Sequence, residues 1–300
     1  MKLRAMILRN MKMFFKDKGM FFTSLATPII LLVLYATFLG NVYTESFEQA
    51  IPEGVHVAED LIAATVGGQL LSSILAVSCV TVAFCSNLLM VQDKVNGANA
   101  DFLIAPVKRS TMAMGYYIAT AFSTLLVCVA ALGAGLIYIK SVGWYMSAGD
   151  ILALFVDTVL MVMFGTALSS IINVFLSTQG QISAVGTIMS AGYGFVCGAY
   201  MPISSFGSGL QKVLSFLPGT YGTSLLRNHA LGGVFDEMSR EHFPDELIDG
   251  IKESIDCKVY FFDNEVTVTA MYTYLGIVVA VLVLVYILIH MGHERKGRRK

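Results

Sequence analysis

The sequence predicts an all-α integral membrane protein with six transmembrane helices, an N-terminal interfacial amphipathic helix and an outer re-entrant hairpin. Three observations lead to this fold class: the composition, the long uncharged runs and the placement of the charges. Hydrophobic residues make up 56% of the 300 residues and charged residues 14%, and the mean hydropathy is +0.70. An average soluble domain is about one quarter charged, so most of this chain must face lipid or other buried helices.

Each predicted span is a run of the length that a bilayer requires. A hydrocarbon core about 30 Å thick takes about 20 apolar residues of helix, and a backbone in lipid must satisfy its own hydrogen bonds. The fourth run is interrupted only by Asp157. We place the spans, within one transmembrane domain of residues 19–300, at about residues 19–40, 61–91, 110–139, 151–174, 182–200 and 271–291.

The first 18 residues predict an amphipathic helix at the membrane surface. Basic residues alternate with leucine, isoleucine, methionine and phenylalanine over residues 1–18. A cleavable signal peptide instead has a short basic head, one apolar stretch and a small-residue cleavage site. The long alternation favours a helix on the inner membrane surface, and a solvated basic tail is the alternative. The basic residues are Lys2, Arg4, Arg9, Lys12, Lys16 and Lys18.

The distribution of charge predicts the side of the membrane on which each end lies. If the amino terminus is inside, the inner segments hold 14 of the 20 lysine and arginine residues. Cytoplasmic segments are enriched in lysine and arginine. We therefore expect both termini on the cytoplasmic side of the cell membrane. This arrangement requires an even number of spans, and the predicted six agree with it.

The longest connection between spans, residues 201–269, ends in an acidic part. Residues 219–269 contain ten acidic residues against four basic ones, so we expect an acidic outer region exposed to water. Within it Pro244 opens a segment with apolar residues at helical spacing. We predict a short surface helix over residues 244–255 whose apolar stripe packs on neighbouring protein. The stripe consists of Leu247, Ile248, Ile251 and Ile255.

The sequence lacks the motifs of several enzyme classes. It contains no phosphate-binding loop G-x-x-x-x-G-K-[ST], no zinc motif H-E-x-x-H and no G-x-S-x-G nucleophile motif. His290 and His293 have no carboxylate or cysteine partner at ligand spacing, which is typical of interfacial residues. The five cysteines are scattered without disulfide or metal spacing. We therefore expect no catalytic, cofactor-binding or metal site in this chain.

Asp157 is an acidic residue inside a predicted span. A charged side chain near the centre of a span costs about 2.5–3.5 kcal/mol on insertion scales, and less near the interface. At about 1.5 Å per residue, Asp157 would lie roughly 10 Å below the outer end of its helix. It is either a functional residue that contacts substrate or another subunit, or an aspartate near enough to the headgroups to stay hydrated.

The sizeable inner connection between spans covers residues 92–109. The sequence indicates a short helix that Gly97 interrupts and that Pro106 ends before the next span. A rigid segment with both signs of charge and an apolar patch suits docking into a groove on a soluble partner. A charged loop that faces water is the alternative.

At this connection the chain resembles the permease subunits of ATP-binding cassette (ABC) exporters of the type-2 family. Those subunits carry, between their second and third spans, an acidic–basic pair, a Gly-Thr, a leucine-rich turn and a proline. The residues in register with this pattern are Asp93, Lys94, Gly97, Leu103, Pro106 and Val107. The chain departs from the pattern at Val95, Ala98 and Ala100.

A second resemblance lies after the fifth predicted span, at residues 201–218. Met201-Pro202 and Leu217-Pro218 look like the family's outer re-entrant hairpin. The two prolines bracket about 15 residues, too few for a full span but enough for a half-membrane hairpin. Non-helical backbone within the membrane is tolerated only where it packs against protein. The match continues through Tyr221, Leu225, Leu226 and Arg227.

The resemblance implies a transport subunit that works with a separate ATPase. Two permease chains, identical or related, pair in the lipid bilayer, and two copies of an ABC ATP-binding subunit dock beneath them. ATP and Mg belong to that partner, and this chain is expected to bind no cofactor and no nucleic acid. The coupling residues that the resemblance implies are Asp93, Lys94, Gly97, Asp101, Phe102 and Pro106.

The resemblance also implies a path between the two permease copies, lined by the second and fifth spans. An apolar path with aromatic, methionine and small residues favours an amphipathic or lipidic compound, a peptide or a drug over sugars or ions. We therefore expect an exporter that moves such a cargo out of the cell. The outer gate and hairpin residues are Phe195, Tyr200, Met201, Pro202, Pro218 and Tyr221.

Two other functional classes stay open at this point. An ion-gradient-driven secondary transporter typically has inverted-repeat symmetry, whereas here only the first half carries the basic inner loop and only the second half the acidic outer region. A non-transporting membrane scaffold or channel fits the composition but gives the inner connection no role. A co-purifying ATPase would distinguish the exporter from both.

Overall fold

The structure is a computed structural model of the chain, and it describes residues 2–35, 57–98, 108–262 and 264–297. Helices dominate these residues, and a short antiparallel pair, β1 (Tyr260–Phe261) and β2 (Asn264–Glu265), precedes the last helix. The predicted all-α fold class is confirmed. Also described are Phe38, Gly40, Asn41, Thr44, Glu45 and Phe102.

The four longest helices lie in predicted membrane segments. In chain order they are α1 (Lys2–Lys16), α2 (Lys18–Leu34), α3 (Glu59–Val95), α4 (Arg109–Val142), α5 (Ala148–Phe175), α6 (Gln179–Val196), α7 (Ser208–Leu214), α8 (Pro218–Arg240), α9 (Asp245–Ser254) and α10 (Val268–Gly297).

Four of these helices are long and apolar enough to cross a membrane: α3, α4, α5 and the part of α10 up to Met291. They correspond to the predicted second, third, fourth and sixth spans. Among the described residues, α1 and α2 pass the same test only as one pair bent by 74°. Helix α6 occupies the predicted fifth span, but glutamine, serine, threonine and glycine dilute its apolar residues. Four or five spans are therefore supported, and the predicted six stay unconfirmed.

Residues 2–16 form an amphipathic helix, as the sequence predicts. Helix α1 buries Met6, Asn10 and Phe14 and packs mainly on α4. The chain then turns at Asp17, whose side chain accepts a hydrogen bond from the Met20 backbone N–H at 3.0 Å and so caps the start of α2. The axes of α1 and α2 differ by 74° at this turn, and the position of α1 at a membrane interface stays a prediction.

Helix α3 is the centre of the bundle. Of its most apolar stretch 94% is buried, against 17% for that of α10. Helices α2, α4, α5, α6 and α8 all pack against it. A Cβ atom at Gly165 of α5 would lie 2.5 Å from the Cys79 carbonyl oxygen, so glycine allows the backbones of α3 and α5 to touch.

The prediction that residues 219–269 are exposed to water is wrong for α8. Leu225, Leu226 and Leu231 of α8 are fully buried, and the helix packs against α3 and α5. The reason is that the acidic residues behind the prediction begin only at Asp236. The earlier turns of α8 carry mostly apolar or small residues, and they pack into the bundle.

The predicted surface helix within residues 244–255 is confirmed as α9. Ile248 and Ile251 are buried in a cluster with Leu61 of α3 and Leu231 and Met238 of α8. The helical spacing of its isoleucines therefore served, as expected, to attach an acidic helix to neighbouring protein.

Candidate functional site

The base of the predicted coupling segment is a buried carboxylate. Asp93, near the end of α3, is only 3% exposed. Arg9 of α1 donates to both of its carboxylate oxygens, at 2.5 Å to Oδ2 and 2.8 Å to Oδ1. The Tyr116 hydroxyl of α4 donates to Oδ2 at 2.5 Å. The guanidinium of Arg9 and the hydroxyl of Tyr116 thus fix the orientation of the Asp93 carboxylate. These contacts join α1, α3 and α4.

Lys94 makes the corresponding link to α5. Its ammonium nitrogen donates to the carbonyl oxygens of Asn173 at 3.0 Å, Val174 at 2.8 Å and Leu176 at 3.3 Å. These carbonyls lie at the C-terminal end of α5, where backbone acceptors lack helical partners and the helix dipole is negative. Lys94 therefore caps α5 from α3.

The coupling residues beyond Lys94 are only partly within the described chain. Gly97 follows α3 with φ of +79°, a left-handed conformation that favours glycine and ends the helix. Phe102 lies beneath Arg9, whose guanidinium carbon is 5.2 Å from the ring centroid. Asp101 and Pro106 lie outside the described residues.

A groove of about 1110 Å³ runs between α2, α3 and α6. It extends from Gln92 and Gln179 at one end to Phe195 and Tyr200 at the other, and most of its lining is apolar. The structure therefore brings two predicted gate residues together with α6 and with one edge of α3. Met201 does not line the groove but is exposed beside it.

The contribution of α2 to this groove was not predicted. Met20, Thr23 and Ile30 are among its lining residues on α2. Their residue types do not differ from those of a lipid-facing helix, so the sequence carries no signal for this role.

The predicted gate residues Phe195 and Tyr200 form a compact corner. Their rings meet edge to face with centroids 5.1 Å apart. The Tyr200 ring folds over Gly194, where a Cβ atom would lie 2.4 Å from it. The chain reverses at Gly198, which has φ of +77°. Small residues thus let an aromatic pair close one end of the groove.

The predicted outer hairpin is held by a buried ion pair. Fully buried Arg227 of α8 donates to Asp256 Oδ2 at 3.1 Å and to the Gly198 carbonyl at 2.5 Å. Asp256 also accepts the backbone N–H groups of Ile203 at 2.6 Å and Ser204 at 3.2 Å. The turn after Pro202 is therefore fixed to α8, although Asp256 carries no sequence signal among the other acidic residues.

The far side of the hairpin is attached to α8 itself. Pro218 is the first residue of α8, a position that tolerates the missing N–H. The Tyr221 hydroxyl donates to the Ser215 carbonyl at 2.5 Å. A 3₁₀ turn (Ile203–Ser205) and α7 lie between the two prolines, and the depth of this segment in a membrane stays a prediction.

Asp157 lies inside the protein with its carboxylate shielded from solvent, which disfavours the alternative of a hydrated aspartate. Its side chain is fully buried and lies 2.7 Å from His229 Nδ1 of α8. The Tyr272 hydroxyl of α10 donates to its other carboxylate oxygen. The hydrogen bond with Asp157 raises the pKa of His229, and burial opposes this shift. His229 and Tyr272 were not predicted, because both look like ordinary interfacial residues in sequence.

The described residues contain no group of three or more histidine, cysteine or acidic side chains placed to hold a metal ion. All five cysteines are free and buried.

Long apolar helices around a central helix, with their ends joined by charged contacts, define a multi-pass membrane protein. The sequence profile of the ABC-2 type transporter family matches residues 1–230. The chain belongs to that family, which confirms the predicted resemblance. It is a transport subunit of the membrane rather than a catalytic one, and the family implies an ABC ATP-binding subunit as its partner. A search of curated proteins finds no match to the chain.

Proposed function

We propose that this chain is the permease subunit of an ATP-driven exporter that moves an amphipathic or lipidic compound, a peptide or a drug out of the cell. Two permease chains, identical or related, pair in the cell membrane and carry two ATP-binding subunits on the cytoplasmic side. ATP and Mg are bound by those subunits. Both termini of the permease are cytoplasmic.

The observation that carries this proposal is the pair of contacts made by Asp93 and Lys94. These consecutive residues stand directly before the coupling segment, and they bind α1 and α4 on one side and α5 on the other. Charged hydrogen bonds of this kind are short and directional. A displacement of the coupling segment by an ATPase would therefore move α1 together with the adjoining ends of α3, α4 and α5.

Asp93 has this coupling role from a position inside the helix bundle. Because its carboxylate is enclosed by Arg9 and Tyr116, Asp93 serves as an internal link. The docking surface itself is assigned to the segment that follows Gly97.

The groove between α2, α3 and α6 supports the proposed cargo class. Its walls are mostly apolar, with Gln92, Gln179 and Ser183 among the polar residues. Apolar surface binds an acyl or aromatic moiety, and the few amides and hydroxyls bind a polar group. When two copies pair, this groove forms one wall of the path between them.

The coupling role is tested by charge exchange in the purified complex of permease and ATPase. In Asp93→Arg the new guanidinium faces Arg9, so we expect cargo-stimulated ATP hydrolysis and transport to fall to the unstimulated level. In the double variant Arg9→Asp with Asp93→Arg the pair is restored with opposite polarity, and much of the stimulation should return. Membrane insertion should persist in both variants.

A backbone variant provides an independent comparison. Proline fixes φ near −65° and cannot adopt the conformation of Gly97, whereas asparagine tolerates it. We expect Gly97→Pro to abolish stimulation and Gly97→Asn to retain most of it. Full stimulation in both Asp93→Arg and Gly97→Pro, or transport by the permease without any ATPase, would contradict the proposed function.

A further inference from the structure

Three phenylalanine rings form an exposed cluster where the segment after α7 meets the β1–β2 turn. Phe216 contacts Phe261 and Phe262 edge to face, with centroids 5.1 Å and 6.0 Å apart, and the latter two lie 5.0 Å from each other. The exposed fractions are 55% for Phe216, 38% for Phe261 and 47% for Phe262. The rings therefore contact one another while much of each faces outward.

The apolar surface continues along α7. Leu210 and Val213 are also exposed, and with Phe216 they recur every three residues along one face. Leu214 of the same helix is buried, so α7 presents one apolar face to the protein and another to its surroundings. Contiguous apolar surface of this kind marks a site of interaction with protein or membrane.

A contact with α10 places this cluster near the start of the membrane-capable stretch of that helix. The Tyr274 hydroxyl donates to the Phe216 carbonyl at 2.7 Å. Tyr274 lies six residues after Val268, where the membrane-capable stretch of α10 begins, which corresponds to about 9 Å along the helix. Phe216 is thereby held beside the first two turns of the stretch of α10 that is apolar enough to cross a membrane.

The charge next to the rings suits a membrane boundary. The ammonium nitrogen of Lys212 lies 5.7 Å from the centroid of the Phe262 ring, and the Lys212 side chain is exposed. Phenylalanine is typical of the buried face of segments that lie in the membrane interface, and a neighbouring lysine can extend its ammonium group to the headgroups.

The backbone at Phe262 adopts a conformation that disfavours a bulky aromatic residue. Phe262 has φ of +55°, a conformation that bulky residues rarely adopt. Glycine or asparagine would satisfy this turn more easily, but neither would supply a ring to the cluster.

We propose that Phe216, Phe261 and Phe262 form a membrane anchor that inserts into the headgroup region of the leaflet in which α10 begins, with Lys212 directed at lipid phosphate. The anchor attaches α7 and the β1–β2 turn to the bilayer surface. This inference does not depend on the direction of transport, because it uses only the position of the cluster relative to α10.

The test uses tryptophan fluorescence of the full chain in lipid nanodiscs. The single tryptophan, Trp144, is replaced by phenylalanine, and Phe262→Trp is added to that background. Nanodiscs contain phospholipids with bromine placed either near the headgroup or deep in the acyl chain. We expect the shallow bromine to quench the emission of the Phe262→Trp variant more strongly than the deep bromine.

Two variants in the same background calibrate the depth. Val281→Trp, at an exposed position further along α10, should be quenched more strongly by the deep bromine. Glu246→Trp, on exposed acidic α9, should be quenched by aqueous iodide and not by either lipid. Phe216→Trp repeats the measurement if Phe262→Trp does not assemble.

The contribution of Lys212 is measured by comparing zwitterionic nanodiscs with nanodiscs that contain phosphatidylglycerol. Anionic lipid should increase the shallow quenching of the Phe262→Trp variant, and Lys212→Gln should remove that increase. Lys252→Gln is the matched control, because Lys252 also stacks on a phenylalanine, with its ammonium nitrogen 5.0 Å from the Phe235 centroid.

Two results would overturn the anchor. Quenching by iodide alone would place the rings in water. Protection from iodide and from both lipids would show that protein, such as a second copy of this chain, covers the cluster.

Discussion

The fully buried carboxylate of Asp157 is stabilised by two donors from different helices. His229 of α8 and Tyr272 of α10 both reach it, so the three side chains join α5, α8 and α10 through polar contacts. Burying a charge without such partners would be costly. Asp157 is therefore tolerated in an apolar segment because its partners arrive from distant parts of the sequence.

The ionic part of this contact predicts a dependence of stability on pH. Asp157 raises the pKa of His229 in the folded protein relative to an unfolded value near 6.5. The stabilisation is then fully present below the unfolded pKa and is lost as pH rises through the folded pKa. We expect the detergent-solubilised protein to become less stable to heat as the pH rises above the unfolded pKa of about 6.5.

Asp157→Asn should weaken this dependence and lower the unfolding free energy at about pH 6 by about 1–3 kcal/mol. The amide still accepts a hydrogen bond from Tyr272, but it carries no charge to pair with the imidazolium of His229. Asp236→Asn, at an exposed position on α8, should retain the wild-type profile. Equal pH profiles for wild type and Asp157→Asn would contradict the ionic pairing.

At the scale of secondary-structure elements, the contact between α3 and α5 depends on glycine. A Cβ atom at Gly165 would lie 2.5 Å from the Cys79 carbonyl oxygen and 2.9 Å from Val80 Cα. Both atoms belong to the backbone of α3 and cannot rotate away as a side chain can. The two helices must therefore separate if this position carries any side chain.

We expect Gly165→Ala to lower the unfolding free energy by about 1–3 kcal/mol through overpacking, measured as thermal stability in detergent. Gly276→Ala on α10 is the control, because a Cβ atom there would meet no described atom within 4 Å. Alanine favours the helix at such a site, so this variant should be neutral or slightly stabilising. A neutral Gly165→Ala would show that α3 and α5 are less closely packed than described.

Hydropathy predicted the elements whose length and composition are set by the bilayer alone. The spans containing α3, α4, α5 and α10 are of this kind, and the isoleucine spacing likewise predicted α9. Helix α8 was missed because its burial depends on packing against α3 and α5, which leaves no periodic signal when apolar and small residues alternate irregularly. Helix α6 has polar residues on the face that lines the groove. These residues lower its hydropathy below that of the four helices that are apolar enough to cross a membrane.

The candidate site was predictable in location but not in its contacts. Resemblance identified Asp93 and Lys94, yet Arg9 lies 84 positions from Asp93 and the Val174 carbonyl 80 positions from Lys94. No local spacing indicates such pairs. Asp256 and His229 are further examples, because each is one polar residue among many until the fold brings it to Arg227 or Asp157.

At the scale of the whole molecule, the native cysteines leave the surface available for labelling. All five are buried, and burial raises the pKa of Cys257 to about 12. A buried, protonated thiol reacts slowly, so the wild-type chain should give little background with a maleimide. Single engineered cysteines can therefore report the orientation of the chain.

We expect an impermeant maleimide to label Glu246→Cys in intact cells and to label Asn96→Cys only after the membrane is permeabilised. Both residues are exposed, and the proposed orientation places Glu246 outside and Asn96 at the cytoplasmic end of α3. The unmodified chain measures the background. Labelling of Asn96→Cys in intact cells would place the coupling segment outside and contradict the proposed function.

Enclosure of α3 by its neighbours restricts the motions that are open to it. A screw rotation about its own axis would exchange side chains of different volume against five surrounding helices, and close-packed interiors resist such exchange. Rocking of α3 as one unit with α1, α4 and α5 leaves those contacts intact. The helices that move relative to one another during a transport cycle should then be those at the open groove. There α2 and α6 can separate without breaking a charged contact of Asp93 or Lys94.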